Sequence, residues 1–289
     1  MVSVIIATYR REESLERALN SLTKQTYKNF EVVIVDDNAD KTWNEKVYKI
    51  ISKFNGISVN YIKNNENFGS AKSRNIGIDA SKGEYITFLD DDDVYLPKKI
   101  ENQIKQMIDE KADFSITNLQ LCNEDDSILE FRKRDYILTS NSKNLLLYHL
   151  KYHMTGTDTL MFKRDYLVSF GGFELIDIGD EFYLMVKAIE QGGKLVYCNE
   201  CDVKAYVHQF GGLSSGKQKI EGENRLFEFK KAFFDRMSLI DKRYIKMRHH
   251  AVLAFAYKRE GNKIKFFLEG IKAFLISPFQ CIKLLRGLR

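Results

Sequence analysis

Residues 85–93 read YITFLDDDD, so five mainly apolar residues lead directly into Asp90, Asp91, Asp92 and Asp93. A short apolar run that ends at polar residues is typical of a buried β-strand. Adjacent carboxylates repel one another, and each costs several kcal/mol to remove from water unless a positive charge neutralises it. Four of them at a strand end therefore predict a site for a cation.

The chemistry of these side chains narrows the choice of cation. Because side chains alternate along an extended segment, we expect Asp90 and Asp92 on one face and the other two aspartates on the opposite face. Oxygen ligands without a nearby His or Cys favour Mg²⁺ or Mn²⁺ over Zn²⁺. The alternative is a solvated acidic turn that caps a helix starting near Leu96.

Short apolar runs alternate with amphipathic segments through the first ninety residues. The strand-like runs are residues 2–7, 31–35, 59–62 and 84–89, and the helical patterns are residues 12–24, 42–54 and 70–81. This alternation predicts a mainly parallel sheet, in which ligands bind beyond the carboxyl ends of the strands. Beyond residue 111 we expect strands at 114–121, 159–162 and 194–197, and a helix at 181–191.

Four motifs occur in order along this part of the chain. They are VSVIIATY at residues 2–9, EVVIVDDN at 31–38, NFGSAKSRNIG at 67–77 and FLDDDD at 88–93. Together they resemble the family 2 glycosyltransferases of GT-A fold. The resemblance implies a Rossmann-like nucleotide-binding α/β fold with a mixed, mainly parallel sheet flanked by helices. It also implies transfer of a sugar from a nucleotide-diphosphate donor, UDP-linked, to an acceptor hydroxyl with inversion, using Mn²⁺ or Mg²⁺.

The resemblance also suggests domain boundaries. A GT-A catalytic domain would occupy residues 1–216, with a nucleotide-binding half at 1–111 and an acceptor half at 112–216. The remaining residues, 217–289, would form a C-terminal helical extension.

The residues that the resemblance assigns to donor binding lie at strand ends. They are Thr8, Tyr9, Arg11, Asp37, Arg74 and Asp91. The first three belong to a loop that packs against base and ribose, and Asp37 would accept a hydrogen bond from uracil. Asp91 would meet the ribose hydroxyl, and Arg74 would supply positive charge or a base contact near the nucleotide.

The resemblance further implies the metal ligands. Asp92 would bind the metal, with Asp90 and Asp93 in support. His208 follows the last strand, where family members place a His or Arg near the diphosphate or metal. A purely structural His208 is the alternative.

The catalytic base is assigned to an acidic pair, Asp180 and Glu181. Family members carry such a pair, usually Glu then Asp, after a Gly-Gly-Phe turn, and here that place holds the reversed order. Alignment on Leu184 puts Glu181 where the base normally lies, and Asp180 is the other candidate. A base must reach the acceptor hydroxyl and have a suitable pKa. The alternative is that both acids only cap the helix.

The net charge of +5 is unevenly distributed. Residues 217–289 contain 18 Lys and Arg against 7 Asp and Glu, so the basic excess belongs to the tail. Residues 263–289 mix large apolar side chains with Lys and Arg, which is typical of a helix at a membrane interface, here kinked at Pro278. The alternative is a helix that packs on the catalytic domain or forms a homodimer.

Cysteine content and apolar patterning bear on the location of the protein. The cysteines are Cys122, Cys198, Cys201 and Cys281, too few for a disulfide scaffold, and the CxxC pair lacks the second pair of a zinc site. The apolar start of the chain is too short for a signal sequence, and no run is long enough to span a bilayer. We expect a cytoplasmic protein, including at the inner face of the cell membrane, with no nucleic-acid partner.

Three other functions are weighed against a glycosyltransferase. A nucleotidyltransferase normally has a Gly-rich phosphate loop with a Lys, and a dehydrogenase a G-x-G-x-x-G motif, but neither follows Ala7. A non-catalytic nucleotide- or glycan-binding module would not need Asp91, Asp92 and the acidic pair. We therefore predict an enzyme of surface polysaccharide biosynthesis, such as capsule, with a nucleotide-sugar donor and a glycan or lipid-linked acceptor.

Overall fold

The computed structural model describes most of the chain, namely residues 1–137, 142–176, 178–207 and 216–285. It contains two compact units. The first comprises the described residues within Met1–Leu146 and Met154–His208, and the second those within Leu147–His153 and Gln209–Arg289. The second unit therefore includes a short segment, residues 147–153, that lies well before the basic tail in the sequence.

The strands all belong to the first unit. They are β1 (Val2–Thr8), β2 (Phe30–Asp36), β3 (Ser58–Lys63), β4 (Tyr85–Phe88), β5 (Val94–Tyr95), β6 (Phe114–Thr117), β7 (Leu119–Cys122), β8 (Ile128–Arg132), β9 (Leu160–Lys163), β10 (Leu195–Cys198) and β11 (Val203–Tyr206). The helices before the last strand are α1 (Glu13–Thr23), α2 (Lys41–Ile51), α3 (Ser70–Ala80), α4 (Lys99–Asp109), α5 (Ser142–Tyr152), α6 (Arg164–Ser169) and α7 (Asp180–Glu190), with a short 3-10 helix at Thr157–Thr159.

A seven-stranded sheet in the order β10-β6-β9-β4-β1-β2-β3 forms the centre of the first unit. Strands β3, β2, β1 and β4 run parallel, whereas β9 is antiparallel to both β4 and β6. Strands β1 and β2 are buried along nearly their whole length, as expected for parallel strands covered by helices on both faces. The prediction of a mixed, mainly parallel sheet flanked by helices is confirmed.

A second, four-stranded sheet has the order β5-β11-β7-β8. The single strand predicted at residues 114–121 is wrong, because the chain breaks at Asn118 and continues as β7 in this second sheet. Asn118 is fully buried, its backbone N–H donates to Glu200 O at 3.0 Å, and its side-chain amide donates to Asn199 O at 2.9 Å. The apolar residues alternate at 114 and 116 and then at 119 and 121, so the change of phase before Leu119 is the sequence signal of this break.

The second unit is helical. Its helices are α8 (Gly216–Lys231), α9 (Leu239–Arg259), α10 (Lys263–Ile276) and α11 (Pro278–Leu285), with a 3-10 helix at Phe234–Arg236. A small core of Met247, Ala251, Ala273 and Cys281 joins α9, α10 and α11. Helix α11 begins at the predicted break, Pro278, whose fixed φ and missing N–H suit the first residue of a helix. Among the described helices, none combines the length and apolar character needed to cross a bilayer.

Candidate active site

The candidate site lies at the carboxyl edge of the parallel strands. Thr8 ends β1, Asp37 follows β2 and Asp90 follows β4, so the topology brings these three positions to one edge. The loops after β1 and β2 are joined directly, since Asp37 N donates to Thr8 O at 2.9 Å and Arg10 N donates to Asn38 Oδ1 at 2.7 Å.

The four aspartates form a turn. Asp93 N donates to Asp90 O at 3.1 Å, which folds the segment back on itself. The predicted alternation between two faces is therefore wrong, because it requires an extended backbone. The capping alternative is also wrong, because α4 begins at Lys99 without a side-chain cap. In this turn Asp90 and Asp93 lie close together, whereas Asp91 and Asp92 point toward the loop after β1.

Asp90 and Asp93 share their position with a third carboxylate, Asp158. Ligand oxygens from these three residues lie within 4.8 Å of one another. Asp90 N also donates to Asp158 Oδ1 at 2.6 Å, which fixes the third carboxylate against the turn. Carboxylate oxygens grouped in this way, two of them from buried residues and one from a half-buried residue, are the ligands that Mg²⁺ or Mn²⁺ prefers in proteins.

The sequence prediction missed Asp158. It lies in the 3-10 helix directly before β9, and β9 runs antiparallel to β4. The start of β9 therefore lies beside the end of β4, where Asp90 follows. An acidic residue just before a strand is a recognisable signal, but only once the antiparallel pairing of that strand is known.

The electrostatics of this trio favour a cation. Burial and the neighbouring carboxyl group of Asp158 raise the pKa of Asp93 well above its usual range. Burial and the charge of Asp90 raise the pKa of Asp158 to about 7. These groups are held close together where ionisation is costly, so a divalent cation would stabilise their charged forms. The residues present thus fit the predicted metal.

Asp91 and Asp92 meet the loop after β1. Arg11 Nη2 lies 3.1 Å from Asp92 Oδ2, and Arg11 Nε lies 3.9 Å from Asp91 Oδ1. Tyr9 N donates to Asp91 Oδ2 at 3.2 Å. Burial and the charge of Asp92 raise the pKa of Asp91 to about 7, against the opposing effects of Thr8 and Arg11. The structure therefore brings together Thr8, Tyr9 and Arg11 with the acidic turn, as the predicted donor site requires.

Arg74, on α3, bridges two acidic segments that are distant in sequence. Its Nη2 donates to Asp90 Oδ1 at 2.7 Å, and its Nη1 donates to Asp180 Oδ2 at 2.6 Å. The side chain is only 10% exposed. Burial lowers the pKa of Arg74, but Asp180 and Asp90 outweigh that effect and raise it above its ordinary value. The guanidinium of Arg74 thus contacts both the acidic turn and the acidic pair.

The acidic pair begins α7. Gly179, with a positive φ of 80°, occupies the N-cap position, and Asp180 is the first helical residue. Glu181 N donates to Asp180 Oδ1 at 3.0 Å. Burial raises the pKa of Asp180 to about 7, with Arg74 opposing and Glu181 adding to the effect. Asp180 is therefore committed to Arg74, while Glu181 lies beside it and is partly exposed.

The Gly-Gly-Phe turn before this pair is hydrogen-bonded to α3. Asn75 Nδ2 donates to Phe173 O at 2.9 Å, and Phe173 N donates to Asn75 Oδ1 at 2.9 Å. Gly172 has a positive φ of 63°, and a Cβ there would lie 2.6 Å from Asn75 Oδ1. Only glycine fits this position. Because Asn75 lies next to Arg74 on α3, that helix contacts the Gly-Gly-Phe turn as well as the acidic pair.

Asp37 organises the loop that precedes α3. Its Oδ1 accepts hydrogen bonds from Asn64 Nδ2 at 2.7 Å and Phe68 N at 2.8 Å, and its Oδ2 accepts one from Gly69 N at 2.8 Å. Beside it lies an open groove of about 330 Å³, lined in part by Asn64 and Lys63. The contact of Asp37 with a nucleotide base remains a prediction. His208, the other predicted metal ligand, lies outside the described residues.

Comparison with known proteins decides the family. The sequence model described as "Glycosyl transferase family 2" matches residues 3–169, more than half of the chain. The chain is a family 2 glycosyltransferase. It is similar to an Escherichia coli protein named UDP-Glc:alpha-D-GlcNAc-diphosphoundecaprenol beta-1,3-glucosyltransferase WfaP. The two sequences are 33% identical over 224 residues, which cover 76% of this chain and 82% of that relative. This chain spans 52% of two longer uncharacterized relatives.

Two solved structures with bound nucleotide sugars have the same fold. The mannosyltransferase PcManGT from Pyrobaculum calidifontis, in complex with GDP-Man and Mn²⁺, superposes with a TM-score of 0.64 at 18% identity, covering 99% of this chain and 84% of that one. S. aureus TarS in complex with UDP-GlcNAc gives 0.61 at 18% identity, covering 95% and 91%. The predicted family, GT-A fold and glycosyltransferase activity are confirmed.

Proposed function

We propose that this glycosyltransferase transfers a sugar from a UDP-sugar to a hydroxyl of a lipid-linked glycan acceptor, with inversion, in surface polysaccharide or capsule biosynthesis. The name of the E. coli relative, which specifies UDP-Glc and a diphosphoundecaprenol-linked acceptor, supports this choice of substrates. The observation that carries the mechanism is the buried bridge from Asp90 through Arg74 to Asp180. It fixes the acidic turn and the acidic pair at opposite ends of one guanidinium.

The donor is assigned to the edge formed by β1, β2 and β4. The loop of Thr8, Tyr9 and Arg11 and the carboxylate of Asp37 would hold base and ribose, and Asp91 would accept from a ribose hydroxyl. We assign the divalent cation to Asp90, Asp93 and Asp158, whose oxygens lie within 4.8 Å of one another. Asp92, the predicted main ligand, here pairs with Arg11 and would turn from it to bind the ion. When bound, this cation supplies positive charge that stabilises the diphosphate as it leaves.

The acceptor is activated by a carboxylate of the acidic pair. We assign the base to Glu181, because alignment on Leu184 places it where family members carry the base and because its side chain is partly exposed, whereas Asp180 is buried. Glu181 takes the proton of the acceptor hydroxyl, whose oxygen forms a bond to the anomeric carbon while the bond to the diphosphate oxygen breaks. Attack opposite the leaving group inverts that carbon. Asp180 positions Arg74 and raises the local negative charge beside the base.

A donor screen tests this function. The purified protein is incubated with Mn²⁺, a panel of UDP- and GDP-sugars and a short-chain lipid diphosphate carrying GlcNAc, and release of the nucleoside diphosphate is measured. We expect one UDP-sugar to give acceptor-dependent release. The matched control is Glu181→Gln, which should bind the same donor without transferring it. Donor binding without transfer or hydrolysis by the wild type would indicate a binding module.

The second unit supports a peripheral membrane location. Helices α10 and α11 expose a stripe of large apolar side chains, here called the membrane face: Ile264, Phe267, Leu268, Ile271, Phe274, Leu275, Phe279, Ile282 and Leu285. In α10 these residues recur every three or four positions, so they lie on one side of the helix. Lysines 263, 265, 272 and 283 belong to the same two helices. Exposed apolar bulk with flanking positive charge is the chemistry of an anionic lipid interface, so we assign the enzyme to the inner face of the cell membrane.

Co-sedimentation with vesicles tests the membrane face. Phosphatidylglycerol vesicles should retain the full chain, and Phe267→Ser with Phe274→Ser should weaken retention at least about tenfold, because two exposed aromatic rings that would insert into the lipid are lost. The matched control is Tyr48→Ser, which removes an exposed aromatic ring from α2 in the first unit. Unchanged retention of the double variant would contradict membrane binding. A concentration-dependent dimer that the double variant loses would identify the same face as a homodimer contact instead.

A further inference from the structure

The segment that leaves the acidic turn runs along helix α1. Arg17 Nη2 donates to Asp92 O at 2.7 Å, and Tyr95 N donates to Ser21 Oγ at 3.2 Å. Gln25, directly after the C-cap of α1, donates from Nε2 at 2.8 Å to the carbonyl oxygen of the residue that follows Tyr95. Because Arg17 and Ser21 are four residues apart, they project from the same face of the helix. This face of α1 therefore holds the chain from the acidic turn into β5.

Strand β11 contacts the same turn. Strand β5 follows the turn directly and pairs antiparallel with β11, with Val94 opposite Lys204. Strand β11 ends at Tyr206, whose backbone N–H donates to Asp93 Oδ1 at 2.9 Å. One carboxylate of the proposed metal trio is therefore held by the backbone of β11.

Arg17 connects the two elements that hold the turn. Its Cζ lies 4.1 Å from the centroid of the Tyr206 ring, well within the ~6 Å at which a guanidinium is attracted to an aromatic face. Tyr206 OH in turn donates to Asp126 Oδ1 at 2.6 Å, which restrains the ring. Arg17 therefore contacts the backbone of Asp92 and the residue that binds Asp93.

Arg17 differs from Arg11 in the group that it contacts. Arg11 pairs with the carboxylate of Asp92, whereas Arg17 donates to the backbone carbonyl of that residue. In the proposed function, the Asp92 carboxylate turns from Arg11 to the divalent cation. Rotation of a side chain does not displace its own carbonyl, so the hydrogen bond from Arg17 is compatible with both positions of the carboxylate.

We propose that Arg17, stacked on Tyr206, is a positioning residue that holds the acidic turn in the shape that binds the divalent cation. The inference rests on the proposed metal site, and Arg17 acts through Asp92 and Asp93. Groups that orient metal ligands typically contribute about 10- to 100-fold to metal affinity. The sequence offers no signal of this role, because Arg17 is one of several charged residues on an amphipathic helix.

Electrostatics alone predicts the opposite effect. The fixed positive charge of Arg17 repels a cation bound at the turn, so its removal would by itself strengthen Mn²⁺ binding. The positioning role predicts weaker binding, because the turn loses a charge-assisted hydrogen bond and the stacked ring loses its partner. The sign of the change therefore separates the two effects.

Calorimetric titration of the full chain with Mn²⁺ measures that sign. We expect Arg17→Met to bind Mn²⁺ at least about tenfold more weakly than the wild type. The matched control is Lys24→Met, which removes the same charge from the exposed C-cap of α1 and should leave affinity unchanged within about twofold. Unfolded protein lowers the number of sites in the titration and not their affinity, so a loss of folding is measured separately.

Two substitutions of Tyr206 test the stacked ring. Tyr206→Ala removes the ring and keeps the backbone N–H, so it should weaken Mn²⁺ binding, whereas Tyr206→Phe keeps the ring and should weaken binding less. Arg17→Met combined with Tyr206→Ala should weaken affinity by less than the product of the two single effects, because both changes remove one shared contact.

Turnover gives an independent reading of the same role. In Arg17→Met, the Mn²⁺ concentration for half-maximal turnover should rise by the factor seen in calorimetry, while kcat at saturating Mn²⁺ changes far less. A group needed for the chemical step would lower kcat instead.

The outcomes that contradict the inference differ from those that contradict the metal site. If the wild type does not bind Mn²⁺, the proposed metal site is wrong, and the inference fails with it. If the wild type binds Mn²⁺ but Arg17→Met binds it equally or more tightly, or no more weakly than Lys24→Met, only the positioning role is wrong. Should Arg17→Met fail to fold, the Tyr206 variants decide, and equal Mn²⁺ affinities of Tyr206→Ala and Tyr206→Phe would overturn the inference.

Discussion

The edge of the first unit where Asp90, Asp93 and Asp158 meet, here called the acidic edge, and a small cavity of the second unit lined by residues of α5, α8 and α9, here called the basic cavity, hold buried groups of opposite charge. At the edge, Asp90, Asp93 and Asp158 are crowded together, and Arg74 contacts only one of them. In the cavity, burial and the charge of Arg248 lower the pKa of Lys230 to about 7. Crowded carboxylates keep their charge only with a cation beside them, whereas a buried amine can lose its proton, so we assign an ion to the first region alone.

The largest effect is expected from removal of a metal ligand. Asp92→Ala should reduce turnover to background and Asp158→Asn should weaken Mn²⁺ binding, because each removes oxygen ligands or charge from the acidic edge. Calorimetric titration with Mn²⁺ measures binding independently of activity. The matched control is Asp125→Ala, which removes an exposed aspartate from a loop elsewhere in the first unit. Wild-type Mn²⁺ affinity in Asp158→Asn would show that the trio is not the metal site.

Removal of the base should leave the donor site intact. Glu181→Gln should keep donor affinity and lower the rate of transfer by about 10²–10⁴-fold, because the amide matches the carboxylate in shape but cannot accept a proton. Single-turnover kinetics separates binding from chemistry. Asp180→Asn is the comparison, and we expect it to weaken the Arg74 contact as well as the rate. If only Asp180→Asn loses the chemical step, the roles of the pair are exchanged.

Loss of the bridge should lower stability. Arg74→Met leaves the buried Asp180 and the half-buried Asp90 without their counter-charge, which should reduce the free energy of unfolding by about 3 kcal/mol, mainly through Asp180. Urea denaturation of the metal-free protein measures the change. Arg132→Met, which removes an exposed ion pair with Glu130, should cost at most about 1 kcal/mol. Equal effects of the two changes would show that the bridge is not an important stabilising contact.

Lys99 sharpens the comparison, because it is a buried cation that contacts hydroxyl groups. Its Nζ donates to Thr87 Oγ1 at 2.6 Å and to Tyr95 OH at 2.8 Å, and burial lowers its pKa from 10.5 to about 7. Between these two values the unfolded chain binds more protons than the folded chain, so the free energy of unfolding rises as the pH increases. Lys99 should thus lose its proton, without recruiting an anion.

Substitution of Lys99 measures that contribution. Lys99→Met should reduce the gain in stability between pH 7 and pH 9 by about 1–2 kcal/mol relative to the wild type. Denaturant unfolding at several pH values gives the slope, and Lys98→Met, an exposed neighbour, is the control. An unchanged slope in Lys99→Met would mean that this amine keeps its proton in the folded protein.

The sequence predicted those features that are contiguous along the chain. Strands β1, β2 and β4, the run of four aspartates and the acidic pair all come from short runs, whose chemistry is visible without knowing the pairing of strands. That the aspartates fold into a turn was not predicted. Asp158 and the second sheet depend on antiparallel contacts between segments far apart in sequence. The basic cavity depends on which face of α8 and α9 is buried. These features required the three-dimensional contacts.

The central claim is that the acidic edge binds the donor together with a divalent cation. Calorimetric titration of the wild type with the active UDP-sugar, in Mn²⁺ and again in excess EDTA, tests it most directly, with nucleoside diphosphate release measured in the same samples. We predict saturable donor binding and turnover with Mn²⁺, and loss of both with EDTA. Full binding and turnover in excess EDTA would contradict the account.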